Sequence, residues 1–337
     1  MRTRLVEVSL AIVAASGFGA TGTMGQSSAG RADAHVAAAK TAAGTDFAGV
    51  FNRICAEAVP PATPATPRPA ARPAGPPPRS EWHAEPARVF DNLYFLGQTE
   101  YSVWAVTTSA GIILIDAIFD YSVDDEVVGG LKKLGLDPAA IKYVVVSHGH
   151  FDHSGGAKYL QDRFNARVIL TAADWDLLDK STQTRPRRDL VATDGQKLTL
   201  GGTTLTLYNT PGHTMGTLST LIPVTDHGTP HVVATWGGTA FNWVANRAAY
   251  ITPDRPDRFW FETYSTSARR FKDITAKAGA DVIISNHTIF DGSKTKLTAL
   301  ERRKPGDPHP YVIGTDGVQR YLTVVDECAQ AGLARVP

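Results

Sequence analysis

Ser147-His148-Gly149-His150-Phe151-Asp152-His153 sets four metal-capable side chains side by side. The pattern H-x-H-x-D-H reads as a dinuclear metal site. It follows Ile141-Lys142-Tyr143-Val144-Val145-Val146, a β-branched run too short for a globular helix and bounded by polar residues, which predicts a buried strand. The ligands then lie in the loop at the strand's C-terminal end. Gly155 and Gly156 allow a tight turn before a helix predicted over 157–164. Neutral imidazole and carboxylate suit zinc, and also iron, nickel or manganese. Two further histidines share this setting: the alternating run 203–209 leads into Thr210-Pro211-Gly212-His213, and Asp281-Val282-Ile283-Ile284-Ser285 leads into Asn286-His287. A lone histidine after a strand is ordinarily a surface residue. With the cluster, three strand ends present six ligands.

This ordered set resembles the metallo-β-lactamase superfamily, and within it subclass B3, over about residues 80–330. Gly111-Ile112-Ile113-Leu114-Ile115-Asp116 is similar to the family's early strand ending in aspartate, and Thr210-Pro211-Gly212-His213-Thr214-Met215-Gly216-Thr217 to its second metal turn. The resemblance implies an α/β (α+β) chain folded as a four-layer αβ/βα sandwich. It implies two zinc ions, the first on His148, His150 and His213, the second on Asp152, His153 and His287. Asp152 would also serve catalysis by orienting the nucleophile. Asp116 would hydrogen-bond a ligand histidine, a role set against that of a strand-terminal turn residue. Thr239 and Asn242 lie where the resembling enzymes bind a substrate carboxylate, with a simple glycine-rich turn as the alternative.

Many superfamily members, among them glyoxalase II, persulfide dioxygenases and lactonases, carry a metal-bridging aspartate after a strand between the second and third histidine regions. Here that strand, 231–235, runs into Trp236-Gly237-Gly238-Thr239, with no carboxylate. Its absence favours a β-lactamase-like site and makes Trp236 a candidate substrate wall, with core packing as the alternative. The expected activity is zinc-dependent opening of β-lactam rings. Lactone or other ester hydrolysis is the second reading, and an iron redox enzyme the third. Metal coordination brings the pKa of water from about 15.7 towards about 7, which makes a nucleophile available at neutral pH.

The rest of the chain sets bounds. A net charge of +1 over 337 residues, without long Lys/Arg runs, argues against a nucleic-acid surface, and the resemblance implies a small-molecule substrate. Met1-Arg2-Thr3-Arg4 and the apolar stretch to Ala20 resemble a secretory signal within residues 1–30, so a periplasmic or secreted product is expected. Elsewhere no apolar run reaches the roughly 20 residues of a membrane span. Residues 31–79 hold a helical segment, with apolar spacing at Phe47, Phe51, Ile54 and Cys55, and then a Pro/Ala-rich linker; the catalytic domain occupies 80–337. Cys55 and Cys328 are the only cysteines, either bonded or packed as small hydrophobes. His83, His227, His231 and His309 are expected at the surface. Ser293-Lys294-Thr295-Lys296 matches S-x-x-K without the accompanying motifs of serine β-lactamases, and no G-x-S-x-G elbow is present.

Overall fold

Alternation decides the layers. In the computed structural model, which describes residues 27–58 and 75–337, Trp104, Val106, Ile113, Ile115, Val145 and Ile169 share one core, while Val103, Ala105, Ile112, Leu114, Val144 and Val168 belong to another. Successive residues of a strand point to opposite faces, so each near-continuous apolar run is buried on both sides. These strands form a sheet ordered β1 to β7: Ala87–Arg88, Leu93–Gly97, Ser102–Thr108, Gly111–Ile115, Ile141–Val145, Arg167–Thr171 and Leu190–Ala192. Its first four strands pair antiparallel and the rest parallel.

The second sheet runs β12-β11-β10-β9-β8, from β8 (Gln196–Leu200), β9 (Thr203–Asn209), β10 (Leu218–Asp226) and β11 (Thr229–Trp236) to β12 (Val282–Ser285), with only β11 and β12 parallel. Leu205, Leu207, Ile222, Val233 and Ile284 meet the first sheet in the central core. Leu221, Ala234, Trp236 and Ile283 face outward under the helices Asp257–Ala278 and Gly314–Leu333. Helices Ala157–Phe164 and Ala172–Asp179 cover the other outer face through Leu160, Trp175 and Leu178. The result is the expected four-layer sandwich.

Some elements differ from the sequence expectation. Strand β10 carries no sequence signal because Pro223 interrupts it, and a proline lacks the N–H that a central strand needs. Its tolerance has a simple cause: β9 pairs only with Leu218 to Leu221, so Pro223 has a partner on the β11 side alone. Strand β2 begins only at Leu93, because Val89 and Phe90 both donate to Leu93 O in a turn. The helix Asp257–Ala278 starts directly after Pro256.

The N-terminal helices α1 (Ser28–Ala43) and α2 (Ala48–Glu57) pack into the same core as the catalytic region. Alanine is the best helix former, and small side chains let α1 lie close to the C-terminal helix through Ala32, Ala39 and Ala43. Val50 and Ile54 are fully buried against it. Cys55 is disulfide-bonded to Cys328, with Cα atoms 4.7 Å apart. Residues 1–26 of the signal region expected within 1–30, and the Pro/Ala-rich run over 59–74, lie outside the described residues. No described helix is long and apolar enough to cross a membrane.

Candidate metal centre

The loops after β4, β5, β9, β11 and β12 converge at one end of the sandwich, the C-terminal end of its parallel strands. There His148, His150 and His213 form one group and Asp152, His153 and His287 a second, each with potential ligand atoms within 4.8 Å of one another. His148 Nε2 and His213 Nε2 stand 3.0 Å apart, His150 Nδ1 and His213 Nε2 3.1 Å. In the other group His153 Nε2 lies 3.2 Å from His287 Nε2 and 3.3 Å from Asp152 Oδ2.

The outward-facing nitrogens explain how these rings are aimed. His148 Nδ1–H donates to Gly237 O (2.9 Å), His213 Nδ1–H to Ala240 O (2.7 Å) and His153 Nδ1–H to Asp116 Oδ2 (3.0 Å). His150 uses its other face, with Nε2 2.6 Å from Tyr250 OH. Each anchor fixes the tautomer and leaves a lone pair pointing inward, the arrangement metal ligation requires. Burial and the neighbouring rings hold His148 well below its ordinary value; burial likewise lowers His150 to about 3, His287 to about 3 and His213 to about 4. Burial opposes charge on His153 too, yet Asp152 and Asp116 on either side outweigh it and push it up to about 10. Burial disfavours the charged carboxylate of Asp152, but His153, His287 and His150 outweigh it and hold the acid well below the usual carboxylate range. Four neutral imidazoles with converging lone pairs, a fifth on His153 that would give up its Nε2 proton to a bound ion, and one ionised carboxylate form a donor set that zinc takes.

Two aspartates brace the ligand loops. Asp116 directly follows β4 in the left-handed region (φ 68°) and accepts from Ser147 N (2.6 Å) and Ser147 Oγ (2.9 Å) as well as His153. Asp174, unnoticed in the sequence, accepts from Gly149 N (2.7 Å), Thr214 Oγ1 (2.8 Å) and Gly216 N (2.9 Å), tying the first ligand loop to the second. Burial raises its pKa to about 6 against those hydrogen bonds. Asn286 adds a third brace, donating to Ser147 Oγ (3.1 Å) and Gly237 O (2.9 Å). Asp174, Asn286 and Tyr250 carry no local motif; their partners are remote in sequence.

The loop after β11 corrects part of the sequence reading. Trp236 is 1% exposed and belongs to the outer helical core, donating Nε1–H to Tyr264 OH (3.0 Å), so it forms no substrate wall. Pleat alternation puts it on the face of Ala234, away from the central core. Thr239 is equally buried and does not line the cavity; its carbonyl accepts from Tyr264 OH. Asn242 does line it, with Nδ2 3.3 Å from His213 Nε2 and 3.4 Å from His150 Nδ1. Gly238 is required by close approach: a Cβ there would come within 2.5 Å of His213 Cβ. Of the four histidines assigned to the surface, His227 is exposed, but His309 is buried with Nε2 donating to Val89 O (2.7 Å), and His231 pairs with Asp281 (2.6 Å).

A cavity of about 420 Å³ opens over both groups, lined also by Glu100, Tyr101, Asn242 and Phe290. A second, about 650 Å³, lies on the other side of His150 beside Leu177, Met215, Tyr250 and Trp260.

Residues 96–226, which carry five of the six candidate ligands, match the family model described as the metallo-β-lactamase superfamily. Over this stretch, less than half of its length, the chain is similar to that superfamily. In fold it is similar to the subclass B3 metallo-β-lactamase BJP-1 of Bradyrhizobium japonicum, at 24% identity and a TM-score of 0.61, covering 74% of this chain and 94% of that one. A hydroxyacylglutathione hydrolase of Acidiphilium cryptum is 40% identical over 76 residues, 23% of this chain and 28% of that protein. An N-acyl homoserine lactonase of a Bacillus species is 30% identical over 110 residues, 31% of this chain and 42% of that protein. The chain thus spans less than half the length of these two relatives.

Proposed function

We propose that this protein is a dinuclear zinc hydrolase of the metallo-β-lactamase superfamily that opens β-lactam rings, with His148, His150 and His213 holding one ion and Asp152, His153 and His287 the other. One observation carries the choice of substrate class: the end of β11 offers the site no carboxylate. Trp236 turns into the helical core, and Gly237 contributes only a carbonyl, to His148 and Asn286. A six-ligand set without a bridging aspartate or a cysteine is what the resemblance to subclass B3 implies.

Bound zinc would supply an activated water and a Lewis acid for the scissile carbonyl. The protein's own contribution is position. Asp152, held ionised, is set to orient the attacking group, and the Asn242 amide faces the first histidine group at a distance suited to donating to a carbonyl oxygen that gains charge. The cavity of about 420 Å³ suits a small molecule. The disulfide supports an oxidising compartment, consistent with a periplasmic or secreted protein.

The likeness to a lactonase keeps lactone hydrolysis as the second reading. Kinetics of the zinc-loaded protein on a chromogenic cephalosporin and on an acyl-homoserine lactone separates the two. The proposal expects the cephalosporin to have the higher kcat/KM; turnover of the lactone alone would overturn it.

A further inference from the structure

One wall of the metal-site cavity comes from outside the catalytic region. Arg53 lines it from α2, which precedes the proline-rich run, and is the only lysine or arginine lining that cavity among the described residues. Three features fix α2 there. Cys55 bonds it to the C-terminal helix. Gly49 lies so close to the segment after His287 that a Cβ would come within 2.4 Å of Ile289 O. Glu57 holds both neighbours at once, Oε2 accepting from Phe241 N in the Asn242 loop (3.2 Å) and Oε1 pairing with Arg53 Nε (2.6 Å).

This geometry leaves Arg53 with binding capacity. Its side chain is 60% exposed. A guanidinium engaged through Nε still presents its two Nη groups, the edge that takes a carboxylate. The acids nearby do not compete: Glu100 is paired with Lys294, and Asp152 faces His153 and His287.

We propose that Arg53 is a specificity-determining residue that binds the carboxylate of an anionic substrate, so that the disulfide-tethered N-terminal helix forms part of the substrate site. This rests on the reading of the centre as a hydrolase of small cyclic amides. The carboxylate sits on the Nη edge of Arg53, with Glu57 keeping the guanidinium turned towards the cavity and the reacting ring lying over the metal groups.

The test compares the zinc-loaded parent with Arg53→Gln, Arg53→Lys and Arg53→Glu on a chromogenic cephalosporin as free acid and as methyl ester. A charge-assisted hydrogen bond of this type corresponds to roughly a ten-fold effect, so the acid-to-ester ratio of kcat/KM should fall about ten-fold in Arg53→Gln. The loss should appear in KM, be larger in Arg53→Glu and be partly recovered in Arg53→Lys. Calorimetric binding of mercaptopropionyl-glycine and its methyl ester, whose thiol anchors each to zinc, provides a readout without turnover, and the acid's advantage should shrink in the same order. A parent that hydrolyses neither cephalosporin contradicts the β-lactam reading, while the thiol pair still decides the role of Arg53. Unchanged acid-to-ester differences in Arg53→Gln and Arg53→Glu, in binding and in whichever turnover exists, would overturn the proposal.

Discussion

Asp116→Asn should weaken one metal position and spare the other. The carboxylate is 1% exposed and accepts three hydrogen bonds, two from Ser147 and one from His153 Nδ1. Asparagine keeps the shape but replaces one oxygen with a donor. With its oxygen on Ser147 N–H, the NH2 group faces His153 Nδ1, which must then accept. The imidazole proton moves to Nε2, the atom facing Asp152 and His287, and a protonated nitrogen cannot ligate. A lost hydrogen bond to a charged group is worth about 1.5–3 kcal/mol, or roughly 10–100-fold in affinity for the ion at His153. His148 and His213 are anchored on Gly237 O and Ala240 O, so the first position should hold zinc about as before. Calorimetric zinc titration reads both positions, and activity should return at excess zinc. Parent-like affinity at both positions, or selective loss of the first, would refute the tautomer argument.

Replacing both Cys55 and Cys328 by serine removes a link across 273 residues. Chain entropy puts the cost at about 5–6 kcal/mol and typical losses run about 2–5, so the denaturation midpoint should drop clearly; an unchanged midpoint would mean the bond adds no stability. Trp236→Phe removes indole volume and a donor to Tyr264, costing about 1–3 kcal/mol in melting experiments while zinc stoichiometry stays at the parent level. Loss of zinc with an unchanged melting temperature would place Trp236 at the metal site after all. The metal-free protein should be most stable near the ordinary histidine pKa of about 6.5. Below it the unfolded chain takes up protons that folded His150, His213 and His287 accept only near pH 3–4, so stability falls with pH. Above it the share from His153, raised to about 10, is lost as pH climbs towards that value. Urea midpoints of chelated protein at several pH values test this, and a flat profile from pH 5 to 9 would contradict it.

The clustering of the candidate ligands was legible because each follows a short apolar run, so local patterning already places it at a strand end. The strand 141–145 and helix Ala157–Phe164 around the first motif were legible for the same reason. What aims the ligands was not. Asp174 lies 40 residues from Thr214, and Tyr250 lies 100 from His150, and no periodicity encodes such contacts. Trp236 was misplaced because position after a strand was weighed above pleat alternation, which already put it with Ala234. The N-terminal helices looked separable by composition, yet Val50, Ile54 and the Cys55–Cys328 bond seat them on the C-terminal helix. His309 shows the limit of composition at single residues: beside prolines in sequence, it is stacked on Phe90 in the fold.

Anomalous diffraction at the zinc edge from crystals of the zinc-loaded protein tests the dinuclear centre most directly. The account predicts two peaks, one ligated by His148 Nε2, His150 Nδ1 and His213 Nε2, the other by Asp152, His153 Nε2 and His287 Nε2. A single peak at full loading, or peaks elsewhere with these six side chains unligated, would contradict it.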